Sequence, residues 1–162
     1  MFYDNSDFPF TQALEAHWNE IATEYRSVKK RMAPWVEGHL HAGGWSVFGI
    51  RAWPEGKEIV GVRNFAPFTA EAVSRIPGVA AAAFSRLAAG EHIAPHRGYQ
   101  GRFLRCHLGL EVPPGDCQIR VLDERRYWQN GKCLVFDDRV EHEAWNRTAA
   151  SRGVLLIDFA AG

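Results

Sequence analysis

Two histidines, His96 and His142, sit in loops beside strand-like runs of the C-terminal half. A neutral imidazole there is a competent ligand for divalent iron, zinc or copper. Between them lie Arg105 and His107, two apart in the run RFLRCHLGLEV, and Arg152 heads the last apolar run, RGVLLIDF. Residues two apart in a strand share a face, so Arg105 and His107 point one way while Leu104 and Cys106 point the other. An arginine and a histidine turned inward from an apolar strand are costly unless an anion meets them. A dicarboxylate such as 2-oxoglutarate meets that need, one end chelating a metal and the other taking a bidentate arginine fork. Arg152 is as good a candidate for the fork as Arg105. The structural alternative is that both arginines pair with Asp158, Glu111 or another acid at a strand edge.

His92 and His96 also form H-x-x-x-H, which on a helix would put both rings on one face. Pro95 between them disfavours a helix, and no glutamate follows the first histidine as a zinc-protease pair requires. Cys106, Cys117 and Cys133 lack C-x-x-C spacing and fall in strand-like runs, where they read as small buried thiols.

The chain has 162 residues, 46% hydrophobic and 12% aromatic, which suits one globular domain with its own core. Zero formal net charge gives no electrostatic footprint for nucleic acid. No apolar run approaches a membrane span, and the start, MFYDNSDFPF, lacks the basic and apolar regions of a secretory signal. The expected location is cytoplasmic and reducing.

Several elements must position the candidate residues. Thr11 can cap a helix with apolar positions Leu14, Trp18, Ile21, Ala22 and Tyr25, ending before Pro34. WSVFGIRAW, residues 45 to 53, reads as a strand, and a second short helix is expected after Thr69 and before Pro77. From Val79 onward short runs alternate with turn signals: 80–87, 102–110, 117–122, 132–136 and 153–159. Asn130-Gly131, a pair favoured in two-residue hairpin turns, precedes the fourth. This spacing suggests a sandwich or barrel.

Three segments, FSRLAAGEHIAPHRG, RCHLGLEVP and W-x-x-GKCLVFDD-x-x-EHEAWN, come in an order and spacing that resemble the aspartyl/asparaginyl β-hydroxylases, a family of Fe(II)- and 2-oxoglutarate-dependent oxygenases. The resemblance covers roughly residues 43 to 159. It implies a mainly β, double-stranded β-helix fold (a cupin-like jelly roll) with one or two N-terminal helices: an extension over about 1–78 and a jelly-roll core over about 79–160. It also implies that His96 and His142 are catalytic and ligate Fe(II). Arg152 would take the distal carboxylate of 2-oxoglutarate, with Ser85, Arg105, His107 and Trp45 lining the same cosubstrate. Most such oxygenases carry a third, acidic ligand two residues after the first histidine. Gly98 stands there in this chain, as in the resembling family. Asp137 and Asp138 are expected to cap the turn before His142.

The activity implied by the resemblance is hydroxylation of an unactivated carbon by dioxygen, with succinate and carbon dioxide released. Substrates across the family include peptide Asp or Asn, free or carrier-tethered amino acids, and lipid acyl chains. Phe103 stands where the peptide-modifying members carry an arginine, which weighs against a carboxylate-bearing peptide. Three alternatives stand beside hydroxylation: a non-catalytic jelly-roll module for a small anion, a halogenase using the vacant third position, and a zinc or manganese cupin-like enzyme.

Overall fold

In the computed structural model, which describes residues 1–162, twelve strands and three α-helices follow one another. Strand β1 (Phe2–Tyr3) precedes helices α1 (Phe10–Ala16) and α2 (Trp18–Val28). Then come β2 (Ala33–Pro34), β3 (Trp45–Ala52), β4 (Lys57–Glu58) and helix α3 (Pro67–Ser74). The remaining strands are β5 (Val79–Leu87), β6 (His92–His96), β7 (Phe103–Glu111), β8 (Cys117–Val121), β9 (Glu124–Tyr127), β10 (Cys133–Phe136), β11 (His142–Asn146) and β12 (Arg152–Ala160). They form a major sheet in the order β1-β10-β7-β12-β5-β3-β2, with β4 on the edge of β3, and a minor sheet in the order β6-β11-β8-β9. All ladders between these strands are antiparallel. The molecule is a mainly β jelly roll with N-terminal helices, the expected class.

Alternation along β7 and β12 sorts their side chains into two layers. Cys106, Leu108, Leu155, Ile157 and Phe159 face the helices and join the larger core with Ile21, Ala22, Tyr25 and Val28 of α2. Each such buried aliphatic or aromatic side chain contributes about 1.5–3 kcal/mol. Arg105, His107, Arg152 and Leu156 face the opposite way, into the space between the sheets. There they meet a smaller inner cluster that includes Trp45, Ile93, Ile119 and Phe136.

The helices differ in detail from the sequence expectation. Thr11 lies inside α1 rather than capping it, with its hydroxyl donating to the carbonyl of Phe8 (2.8 Å). One long helix becomes two, because His17 takes a non-helical backbone (φ −115°) between α1 and α2. α3 starts two residues before Thr69, with Pro67 in its first turn. Its free N–H groups are met by Glu24 of α2, whose carboxylate accepts from the backbone of Phe68 (3.0 Å) and Thr69 (2.7 Å). Asn130-Gly131 is not a hairpin turn. It joins β9 of the minor sheet to β10 of the major one, and Asn130 Oδ1 accepts from the backbone of Val112 (2.8 Å).

Gly153 fixes how closely α2 approaches β12. A Cβ at this position would land inside the ring of Tyr25, directly behind Arg152. Gly153→Ala is therefore expected to destabilise the fold by about 1–3 kcal/mol, as overpacking does. A urea midpoint unchanged from that of the parent would refute it.

Candidate active site

His96 ends β6 and His142 begins β11, and the two are direct cross-strand partners in the minor sheet. They lie in strands, not in the loops expected from sequence, and the pairing brings their rings to 4.2 Å between centroids. Each ring is oriented by its own backbone: Nδ1 of His96 lies 2.8 Å from the carbonyl of Ala94, and Nδ1 of His142 lies 2.9 Å from that of Val140. A carbonyl only accepts, so both Nδ1 atoms carry the proton and both Nε2 atoms keep a bare lone pair. That is the tautomer a metal ion requires. Burial lowers the pKa of His96 and pulls that of His142 down to about 3, with the neighbouring His96 adding to the effect. No third His, Cys, Asp or Glu completes a metal-ready cluster with them.

A histidine ordinarily titrates near 6.5, so below that pH an unfolded chain binds a proton that buried His142 refuses. The metal-free protein should lose stability as pH falls from about 6.5 towards about 3. A denaturation midpoint flat across that window would contradict the neutral assignment.

Arg152 is 1% exposed, among the most buried side chains of the chain, and no carboxylate meets it. Its Nη2 donates to Ser85 Oγ (3.0 Å), its guanidinium lies 4.5 Å from the ring centre of Trp128, and its Nε has no partner. Burial pulls its pKa down to about 10. Ser85 Oγ also accepts from Trp45 Nε1 (3.0 Å), which leaves the serine's own proton free to donate. Trp128 Nε1 lies 3.1 Å from His107 Nδ1. An indole N–H can only donate, so His107 carries its proton on Nε2, and that atom is buried without a partner. Burial, helped by the charges of Arg152 and Arg105, holds His107 well below its ordinary pKa and therefore neutral.

Arg105 behaves differently. Asp158, its cross-strand partner, accepts from its Nε (2.7 Å) and Nη2 (2.9 Å), and Asp138 lies 3.2 Å from Nη2. Against the opposing effect of burial, the two carboxylates raise its pKa. The structural alternative holds for Arg105 and fails for Arg152: one arginine is neutralised and the other is free. Arg105 and Arg152 also start from opposite ends of the interior, with Asp158 and Arg152 six residues apart on β12, roughly 20 Å of strand.

Asp137 caps the turn as expected, accepting from the backbone of Arg139 (2.9 Å). Asp138 does not. It is buried, its carbonyl accepts from the backbone of Gly98 (2.7 Å), and a Cβ at Gly98 would overlap its carboxylate. The space where an acidic third ligand would begin is thus filled by Asp138.

All seven residues singled out in the sequence, Trp45, Ser85, His96, Arg105, His107, His142 and Arg152, line one cavity of about 20 Å³. Sequence reasoning missed Trp128, which sets the tautomer of His107 and underlies Arg152, and it gave Asp138 the wrong task. A lone tryptophan in a polar excursion carries no periodic signal. The three cysteines are free and buried, as expected.

Fold and cavity together define a jelly roll with a polar pocket between its sheets. In solved structures the same architecture recurs in a prolyl-4-hydroxylase from Pseudomonas putida. That match has a TM-score of 0.58 and 15% identity, covering 90% of this chain and 88% of the other. It recurs also in a predicted oxalate decarboxylase from Thermotoga maritima, with a TM-score of 0.52 and 10% identity over 80% and 92% of the two chains. The chain belongs to the aspartyl/asparaginyl β-hydroxylase family, whose model matches residues 15–161. It is 36% identical, over 97% of its length, to an ornithine lipid ester-linked acyl 2-hydroxylase of Rhizobium tropici. It is 31% identical, over 91% of its length, to the aspartyl/asparaginyl β-hydroxylase of Homo sapiens. The chain spans 59% of the first relative and 20% of the second.

Proposed function

We propose that this chain is an Fe(II)- and 2-oxoglutarate-dependent hydroxylase. The observation that carries the reading is the division of labour in one cavity: two bare imidazole Nε2 atoms beside a buried arginine that has no acid. His96 and His142 would hold the metal. Arg152, Ser85 and the Nε2–H of His107 would hold the distal carboxylate of 2-oxoglutarate, which answers the unpartnered donors at Arg152 Nε and His107 Nε2. When bound, the iron and cosubstrate supply dioxygen activation with release of succinate and carbon dioxide. The chain's own contribution is orientation and exclusion of water. Trp45 walls the pocket between Ser85 and His96, its ring 6.4 Å from that of His96. The Arg105–Asp158–Asp138 cluster ties β7 and β12 to the turn that leads into β11, where the Asp138 carbonyl also accepts from Gly98 just beyond β6.

An acyl chain is the better-supported substrate. In the segments that follow β3 and β6, Trp53 stacks on Tyr99 (5.0 Å, 20°) and lies edge-on to Phe103 (4.8 Å, 65°), an aromatic cluster suited to methylene groups. The Rhizobium relative, named for an acyl 2-hydroxylation, is matched over nearly all of this chain.

Anaerobic titration of metal-free protein with ferrous iron and 2-oxoglutarate tests the reading. A weak visible charge-transfer band should appear only when both are present. If none forms at saturating iron, the anion-binding module replaces the oxygenase. Succinate release with an ester-linked acyl lipid, compared with an aspartate-containing peptide, then separates the substrate classes.

A further inference from the structure

The pocket walls are unequally secured. Most of the lining side chains sit on strands held by long ladders, β5, β7 and β12 in the major sheet and β11 against β8 in the minor one. Behind the lining residue Trp45 runs the segment from Trp35 to Gly44, between β3 of the major sheet and β6 of the minor one, with Trp35 and Leu40 packed on the inner cluster. β2, which leads into it, pairs with β3 at only two residues, and Trp35 adds one backbone bond to the carbonyl of Trp45 (2.8 Å). Trp35 then lies flat on Trp45, with 4.3 Å between ring centres and 9° between planes. Val36 beside it is 85% exposed.

The far end of the segment is held by one backbone bond, from Ala88 N–H to the carbonyl of Gly44 (2.8 Å), and by one side chain. Glu91, just before β6, accepts from the backbone N–H of Ala42 (2.7 Å) and Gly44 (3.0 Å). No Cβ fits at Gly44 because the Glu91 carboxylate occupies that space. Inside the segment, Gly43 N–H donates to His41 Nδ1 (2.9 Å), so His41 Nε2 carries the proton towards the carbonyl of Trp35 (3.2 Å).

A volume of about 20 Å³ among the pocket residues is room for roughly one water molecule. A five-carbon dicarboxylate needs more room than that, and the part of the surround with the fewest ties yields at the least cost. Trp45, which donates to the same Ser85 hydroxyl as Arg152, has its outer face covered by Trp35. Displacing Trp35 therefore frees the outer face of Trp45, the ring that walls the anion end of the pocket. We propose that Trp35–Gly44 is a hinged strap that admits the dicarboxylate and then closes over it. Trp35 is the pad of the strap and Glu91 its latch, both acting as positioning residues through Trp45. This rests on the reading of the cavity as a 2-oxoglutarate pocket.

The test uses the full chain loaded with Mn(II) and titrated calorimetrically with 2-oxoglutarate, alongside amide hydrogen exchange of residues 35–44. Glu91→Gln keeps the side chain's shape but weakens the charged latch, and Trp35→Ala removes the pad. Each should weaken 2-oxoglutarate binding by about tenfold, the equivalent of about 1.4 kcal/mol, through faster release, while Mn(II) affinity stays unchanged. Trp35→Phe should restore most of the affinity. In the parent protein, exchange at 35–44 should slow on addition of 2-oxoglutarate. If Trp35→Ala does not fold, Glu91→Gln and the exchange measurement carry the decision. Parental affinity and release rate in Glu91→Gln, together with exchange indifferent to ligand, would overturn the strap while leaving the pocket intact. Absence of any 2-oxoglutarate binding to the parent protein would overturn the pocket, and the strap with it.

Discussion

His142→Ala is expected to produce a folded protein that retains no ferrous iron after dialysis and releases no succinate. Only two side chains present bare imidazole nitrogens to the site, and no third metal-ligating group stands by to compensate. Loss of an outer-shell partner alone typically costs 10–100-fold in metal affinity, so loss of one of two ligands should exceed roughly a hundredfold. The fold should survive, because alanine keeps the β11 ladder to β6 and β8 and removes a buried neutral ring whose only polar bond is to its own strand entry. Metal content by elemental analysis and succinate release together check the result. Parental iron content in the variant would show that the metal lies elsewhere, and parental turnover would dissolve the site altogether.

The reason this site could be read from sequence is local. Arg105, His107 and Arg152 lie in or at the start of strands, where alternation decides which way a side chain points, whereas His96 and His142 stood out through the motifs that resemble the family. Two-residue spacing alone therefore puts Arg105 and His107 on one face. The strand runs at 80–87, 102–110 and 153–159 were legible for the same reason, each apolar and bounded by turn residues. β6 and β11 were not. They are short, interrupted by Pro95 or rich in polar residues, and are held by the ladders they make with each other and with β8. β9, Glu124–Tyr127, is exposed throughout and carries no burial pattern at all.

Partners across the sheet were equally invisible. Sequence offered Asp158 or Glu111 to either arginine, and only the register, Arg105 opposite Asp158 and Arg152 opposite Leu87, assigns the acid to one of them. Asp138 and Trp128 act through contacts to residues at least twenty-one positions away, which no periodicity encodes. The halves of the site that spacing could not supply are those that decide charge state and tautomer.

That asymmetry between two inward arginines leads to the second large effect. Arg152→Met keeps a long, flexible, apolar side chain in the place of a buried guanidinium that lacks an acid. Two charge-assisted hydrogen bonds to a carboxylate contribute roughly 1.5–3 kcal/mol each, so the 2-oxoglutarate requirement should rise by about 10²–10⁴-fold, with metal affinity unchanged. The unliganded protein, by contrast, should not suffer. Removing a desolvated charge gives back its burial cost, partly offset by the lost contact with Trp128, for a net change between neutral and about 2 kcal/mol more stable. Arg105→Met should do the reverse. It strands Asp158 and Asp138 in the interior and should cost about 3–5 kcal/mol, as breaking a buried pair does. Denaturation of both metal-free variants, set beside 2-oxoglutarate titrations, checks the pair. If Arg152→Met were as destabilised as Arg105→Met, Arg152 would be a structural ion-pair partner. If it is stable and fails to bind 2-oxoglutarate, the guanidinium is held in the core at a cost to the fold because the anion needs it there.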